Sequence, residues 1–283
     1  MSFSAPLIDV ATLAGLAADE VLIVDCRFDL ADPARGARDF LAGHIPGAVH
    51  ADLDRDLSDL SRQSEGLGRH PLPSAEAFSA TLGRWGWQPG RKVVCYDAGP
   101  GALAAARLWW MLRAVGAPAA AVLDGGLAAW EAAGRPLQEG EAAARPTGRV
   151  EVAFDPSMIV DHAAAARASA AGNLVDARAE PRYRGEVEPL DRVAGHVPGA
   201  LNRPFASNLQ AHGRFKPPAL LRQEWLALLG GRPPSEVVHM CGSGVTAAHN
   251  LLAMEQAGLA GSRLYPPSWS GWISDPGRPV AVG

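Results

Sequence analysis

AGHIPGAVH at residues 42–50 returns as AGHVPGALN at 194–202, a shift of 152 positions, and this echo decides the architecture. It has companions on both sides. LIVDCR (22–27) returns as NLVDAR (173–178) with a shift of 151, and KVVCYDAGPG (92–101) returns as EVVHMCGSGV (236–245) with a shift of 144. Three echoes in one order mean a duplicated unit, the second copy being about eight residues shorter between its His motif and its Cys loop. The stretch QEGEAAARPTGRV (138–150), polar and without apolar periodicity, reads as the linker. Two domains are therefore expected, 1–140 and 150–283, each of ordinary domain size.

Within each copy, short apolar runs (VLIVD, KVVCYD and AAVLD; NLVDA, EVVHM and SRLY) alternate with longer stretches of helical spacing. LAAARLWWMLRAVG (103–116) and TAAHNLLAMEQAG (246–258) repeat apolar residues every three or four positions and close on glycine. This alternation predicts an α/β fold of two tandem domains, each a parallel sheet flanked by helices. Ligands of such sheets gather at the carboxyl ends of the strands.

Bulk properties narrow the function. The 283 residues carry a formal net charge of -4 and 48% hydrophobic side chains, so no basic footprint for nucleic acid is present. No run approaches the ~20 apolar residues of a membrane span. MSFSAPLIDVATLAG lacks the basic start and apolar centre of a secretory signal. Cys26, Cys95 and Cys241 are odd in number and far apart, which fits free thiols in a reducing, cytoplasmic setting. No Cys-x-x-Cys pair suggests a metal, and the isolated GPG and GSG turns lack dinucleotide-binding spacing, so no cofactor is expected.

HMCGSGVTAAHN (239–250) places Cys241 after a strand-like run and before a helix-like one. Gly242 and Gly244 allow the backbone to curl so that several N–H groups face one point, and the helix N-terminus adds its positive dipole end. Both effects favour an anion, so Cys241 is the predicted nucleophile, with Gly242, Ser243, Gly244, Val245 and Thr246 forming its substrate-binding loop. Cys26 and Cys95, inside strands, read as buried packing residues. A phosphatase loop would carry Arg six residues after the cysteine, where this chain has Ala247. His239 and His249 read as structural. The first copy aligns Asp97 with Cys241 and has Pro100 in its loop, so it is expected to be non-catalytic, with Pro100 removing a donor from the turn.

With these residues on the page, the chain resembles the tandem-domain rhodanese-like sulfurtransferases, from VDCR through GHIPGAVH, GRHPLP, YDAGPG and LDGGLAAW to RYRGEVEP, GHVPGALNRPF, CGSGVTAAHNLL and SWSGW. The resemblance implies that Cys241 takes a sulfane sulfur, becomes a persulfide, and passes the sulfur to cyanide or to a thiol such as thioredoxin or a small thiol. Thiosulfate-using members carry basic loop residues, as in Cys-Arg-Lys-Gly. CGSGVT resembles instead the pattern of the 3-mercaptopyruvate-using members, with Ser243 offering a hydroxyl. By the same resemblance Arg182 matches the substrate-binding arginine; Arg184, Arg192 and His44 are secondary candidates. Where such relatives have Gly-Ser-Trp-Ser-Glu-Trp, this chain has PPSWSGW (266–272), with Pro267 and Gly271 as departures. The alternatives are thiosulfate as donor by the same mechanism, and a non-catalytic module that presents a persulfide to a partner.

Overall fold

Strands whose residues are apolar at successive positions need cover on both faces, and the chain builds two sheets of that kind. The structure, a computed structural model, describes residue 3 and residues 5–142 and 149–283; the expected linker falls partly outside these. The chain divides into two compact units, Met1–Ser58 with Pro73–Asp155, and Asp59–Leu72 with Pro156–Gly283. The stretch 59–72, which lies in the first copy by sequence, therefore belongs to the second unit.

In the first unit, β1 (Leu7–Ile8), β2 (Val21–Asp25), β3 (Val49–His50), β4 (Lys92–Tyr96) and β5 (Ala120–Leu123) form one sheet in the order β1-β5-β4-β2-β3, every pair parallel. The helix Ala104–Ala114 buries every residue but Arg113, as a helix apolar all round must. It stops at Gly116, whose φ is 74°, while Ala117 N–H closes on Leu112 C=O at 2.8 Å.

In the second unit, β6 (Leu174–Asp176), β7 (Leu201–Asn202), β8 (Val238–Met240) and β9 (Arg263–Leu264) follow the order β7-β6-β8-β9, again parallel throughout. The helix Ala247–Gln256 returns from β8, and its end repeats the same device: Gly258 has φ 69°, and Leu259 N–H meets Met254 C=O at 2.8 Å.

The echoed motifs hold the same places in both units. Asp25 on β2 binds Arg27, which also donates to Gly43 C=O at 2.8 Å; Asp176 on β6 binds Arg178, which donates to Gly195 C=O at 2.8 Å. His44 stacks on Phe40 and His196 on Tyr183, each pair with centroids 3.9 Å apart. Their Nδ1 atoms lie 2.8 Å from Phe40 C=O and 2.9 Å from Tyr183 C=O. His44 is fully buried in this arrangement, which makes it a turn-holding residue of the first unit.

Candidate functional site

β8 ends at Met240 and Cys241 opens the loop that leads to the helix Ala247–Gln256. The loop is stitched to the chain around SWSGW. Cys241 N–H donates to Ser268 Oγ at 3.1 Å, Trp269 N–H to Cys241 C=O at 3.0 Å, and Ser270 N–H to Gly242 C=O at 2.9 Å. Ser268 has φ 52°, the one non-glycine residue in the left-handed region among the described residues, a conformation that carries strain and is typical of constrained sites. Gly244 has φ 77°, and a Cβ there would lie 2.3 Å from Pro266 C=O, so only glycine fits. Gly242 differs from expectation: its φ is not left-handed, so it is not there for its backbone angle.

Residues 59–72 supply what the sequence reading did not foresee. Gly68 and Gly271 let this arm run against the SWSGW segment, since a Cβ on Gly68 would lie 2.4 Å from Pro267 C=O and one on Gly271 2.8 Å from Gly66 C=O. Arg69 N–H donates to Ser270 Oγ at 3.0 Å. The departure at Gly271 thus has a packing cause. The arm then delivers buried His70, whose Nδ1 is 2.8 Å from Ser243 Oγ. GRHPLP was visible in the sequence, but nothing local to it said which unit it joins.

A ladder of alternating charge runs beside the loop. Asp176 pairs with Arg178 (2.7 Å), Arg178 with Glu188 (3.4 Å), Glu188 with Arg182 (2.6 Å), Arg182 with Asp191 (3.2 Å), and Asp191 with Arg69. Burial pushes the Glu188 carboxyl up, but the Arg182 hydrogen bonds and the Leu190 and Asp191 N–H groups outweigh it, so its pKa ends below the ordinary value. For Asp191, burial wins over the pull of Arg69 and its pKa rises. Arg182 Nε and Nη2 are spent on Glu188 and Asp191, so the guanidinium is held in place rather than free to swing. Arg182 and Arg69 both reach Gly242.

The other candidates lie elsewhere. Arg184, half-exposed, pairs with Glu180 and Glu186, and Arg192 donates to Ile273 C=O. Cys26 and Cys95 are fully buried, and burial, followed by the hydrogen bond to Cys95, pushes the Cys26 thiol up. His239 Nε2 lies 3.2 Å from Met254 Sδ and His249 stacks on Phe215, as structural histidines would. Cys241 itself is 1% exposed. Its surroundings still separate it from the two strand thiols, because its loop is bonded to Ser268 and its neighbours Gly242 and Ser243 meet Arg69, Arg182 and His70. Among the described residues no group of His, Cys, Asp or Glu converges as metal ligands would, and no helix is long and apolar enough to cross a membrane.

The rhodanese-like domain family matches the chain twice, over residues 10–133 and 161–275. The chain belongs to the rhodanese-like family. A Pseudomonas aeruginosa protein named as a probable 3-mercaptopyruvate sulfurtransferase is 51% identical over 99% of this chain and 99% of its own length. Mycobacterium tuberculosis SseB, named for thiosulfate instead, is 42% identical over 98% of this chain and 97% of its own. The crystal structure of SseA from Escherichia coli, a 3-mercaptopyruvate sulfurtransferase, superposes with a TM-score of 0.80 at 33% identity, covering 94% of this chain and all of SseA. The rhodanese fold that the resemblance implied is thereby the fold of solved relatives.

Proposed function

We propose that this rhodanese-like protein is a sulfurtransferase that takes sulfur from 3-mercaptopyruvate through a persulfide on Cys241. The thiolate of Cys241 attacks the donor's thiol sulfur, the carbon–sulfur bond breaks, and its electron pair leaves on pyruvate as an enolate that then takes a proton. The Cys241 persulfide next meets an acceptor thiolate or cyanide, which attacks the outer sulfur and releases Cys241 as thiolate. Ser243, bonded to the His70 imidazole, supplies a hydroxyl able to give a proton to the developing enolate and recover one from the ring. Arg182, fixed by Glu188, faces the donor's carboxylate with its remaining Nη1. In this reading Gly242, Ser243, Gly244, Val245 and Thr246 form the turn that receives the donor.

The observation that carries this reading is the placement of Cys241 at the head of a glycine turn whose serine is bonded to a buried histidine, in a chain half identical to a protein named for this reaction. A reduced small thiol or thioredoxin is the acceptor, and the cytoplasm the compartment, which suits three cysteines that are all unpaired. Thiosulfate remains a second reading on one observation. The loop lacks basic residues, yet two guanidinium groups stand at Gly242, so positive charge reaches the loop from outside it.

A donor panel tests both. Incubation with 3-mercaptopyruvate alone is expected to release pyruvate and to add the mass of one sulfur atom to the Cys241 peptide. The kcat/KM for 3-mercaptopyruvate is expected to exceed that for thiosulfate. An unmodified Cys241 peptide after pyruvate release would refute the persulfide, and a reversed ratio would give the donor to thiosulfate.

A further inference from the structure

The three sequence echoes have a fourth. GRPLQEG (134–140) returns as GRPVAVG (277–283), a shift of 143, and each stretch is a strap laid across its own unit in the same way. In the first unit Trp130 Nε1 donates to Pro136 C=O at 2.8 Å, His44 and Gln138 exchange two backbone hydrogen bonds (2.9 and 2.8 Å), and Gly140 N–H reaches Leu41 C=O at 2.9 Å. In the second, Trp272 Nε1 donates to Pro279 C=O at 2.9 Å, His196 and Ala281 exchange theirs (2.8 and 2.9 Å), and Gly283 N–H reaches Arg184 C=O at 2.9 Å.

What differs is the cargo at the two ends. The first strap starts beside LDGGLAAW, which backs the Asp97 turn through Leu127 N–H to Asp97 C=O (2.9 Å), and ends on the eight-residue helix Arg35–Ala42. The second starts beside SWSGW, where Arg278 Nη1 donates to Gly271 and Trp272 C=O (2.8 and 3.0 Å) and Trp269 N–H holds Cys241 C=O. It ends on Glu180–Tyr183, a single turn that carries Arg182. One turn makes too few internal hydrogen bonds to offset the cost of its nucleation, so its place is set from outside. The Gly283 bond, His196 Nδ1–H to Tyr183 C=O at 2.9 Å and Tyr183 Oη to Ala200 C=O at 2.5 Å do this. The strap supplies the first and pairs with the histidine that supplies the second. It lies tight: a Cβ on Gly195 would be 2.3 Å from Ala281 C=O, and one on Gly185 2.8 Å from Val282 Cγ1. In the first unit Gln138 Oε1 also takes Gly47 N–H at 2.9 Å; Ala281 has no such group, so main-chain bonds hold the second strap at this point.

We propose that the strap Arg278–Gly283 is a positioning element of the donor site, setting the spacing between Cys241 and the Arg182 guanidinium by tying the segment behind the one to the helix beneath the other. The inference rests on the sulfurtransferase reading, in which the thiolate attacks one end of the donor while Arg182 holds the other. A nucleophile and an anchor on separate elements act together only while their separation is fixed, and a small misplacement is felt in the rate.

The two half-reactions and the two straps together make the test. Ala281→Pro removes the N–H that His196 C=O accepts, and is expected to lower kcat/KM for 3-mercaptopyruvate about threefold to tenfold, the scale of one or two lost hydrogen bonds. Sulfur transfer from the preloaded persulfide to dithiothreitol should stay within about twofold, and Ala281→Gly, which keeps the N–H, should behave as wild type. Gln138→Pro makes the matched cut in the first unit, and should lower the melting temperature as much while leaving both half-reactions unchanged. Wild-type donor kinetics in a folded Ala281→Pro enzyme would overturn the proposal. Equal losses from Gln138→Pro, or in both half-reactions, would also overturn it by showing a general structural role. Should Ala281→Pro not fold, Arg278→Ala frees the strap's other end, and an unaltered donor kcat/KM there is equally fatal. All of these leave the sulfurtransferase reading standing; a wild-type enzyme that releases no pyruvate removes that reading itself.

Discussion

Two turns leave matched strands of the two sheets, one after Tyr96 and one after Met240, and they treat the same backbone differently. In the first, the Asp97 carboxylate accepts N–H groups from Gly99 (3.1 Å), Gly101 (2.9 Å) and Leu103 (3.2 Å), so the turn wraps an anion of its own. Pro100, which has no N–H to give, sits between the donors Gly99 and Gly101. In the second, Cys241 stands where Asp97 does, and the matching N–H groups of Ser243 and Val245 meet no oxygen or nitrogen among the described residues. The first turn therefore reports what the second is shaped to hold. A carboxylate that fills its own cradle is structural, while a thiol in the same cradle is free to exchange what it carries.

The largest expected effect comes from making the second turn like the first. Cys241→Asp should abolish pyruvate release altogether, yet leave the melting temperature within a few degrees, because the carboxylate has the same donors to bind. A large loss of stability would mean that the two cradles are not equivalent.

Next comes the reverse cut. Asp97→Ala strands three N–H groups in a partly buried turn and should lower unfolding stability by roughly 2–3 kcal/mol in denaturant melts, without altering kcat. A stability loss below ~0.5 kcal/mol would show that water replaces the carboxylate at no cost.

The smallest effect is a difference in pH response. Cys95 and His239 occupy matched strand positions, and burial pushes the His239 imidazole down to about 3. Between that value and the ordinary ~6.5, the unfolded chain binds a proton that the folded chain refuses, so stability falls as pH drops through this window, by ~1.4 kcal/mol per unit at most. Asp97 has the opposite sign. Burial raises its pKa despite the three N–H groups, so its contribution grows as pH falls through the range just above ~4. Thermal melts from pH 7 to 4.5 should show a decline that His239→Leu flattens. Equal slopes in the two proteins would remove His239 from the account.

Much of this was legible in the sequence, for reasons that can be located. VLIVD, KVVCY and AAVL announce strands because a parallel sheet buries successive residues, and the helices after Leu103 and Thr246 stop where Gly116 and Gly258 let the chain reverse. Of the four two-residue strands, β9 was read from SRLY, while β1, β3 and β7 are too short to carry any periodicity. Cys241 stood out as the candidate nucleophile because a lone thiol in a glycine turn at a strand end has few other uses. Arg69 and His70 were not, since joining the second unit is a matter of tertiary packing that local pattern does not encode. Gly242 was noticed for the wrong reason: glycine signals either a backbone angle or a need for room, and only coordinates separate the two.

The crossing of residues 59–72 bears on how such a protein could be dismantled. A polypeptide trimmed to 150–283 would retain the thiol but forfeit Arg69 and His70, which lie far upstream of the cut. Duplication has here ended in dependence: the half that carries a carboxylate where its sibling carries a thiol lends that sibling two side chains, and gene fission at the seam would strip them from the thiol-bearing product.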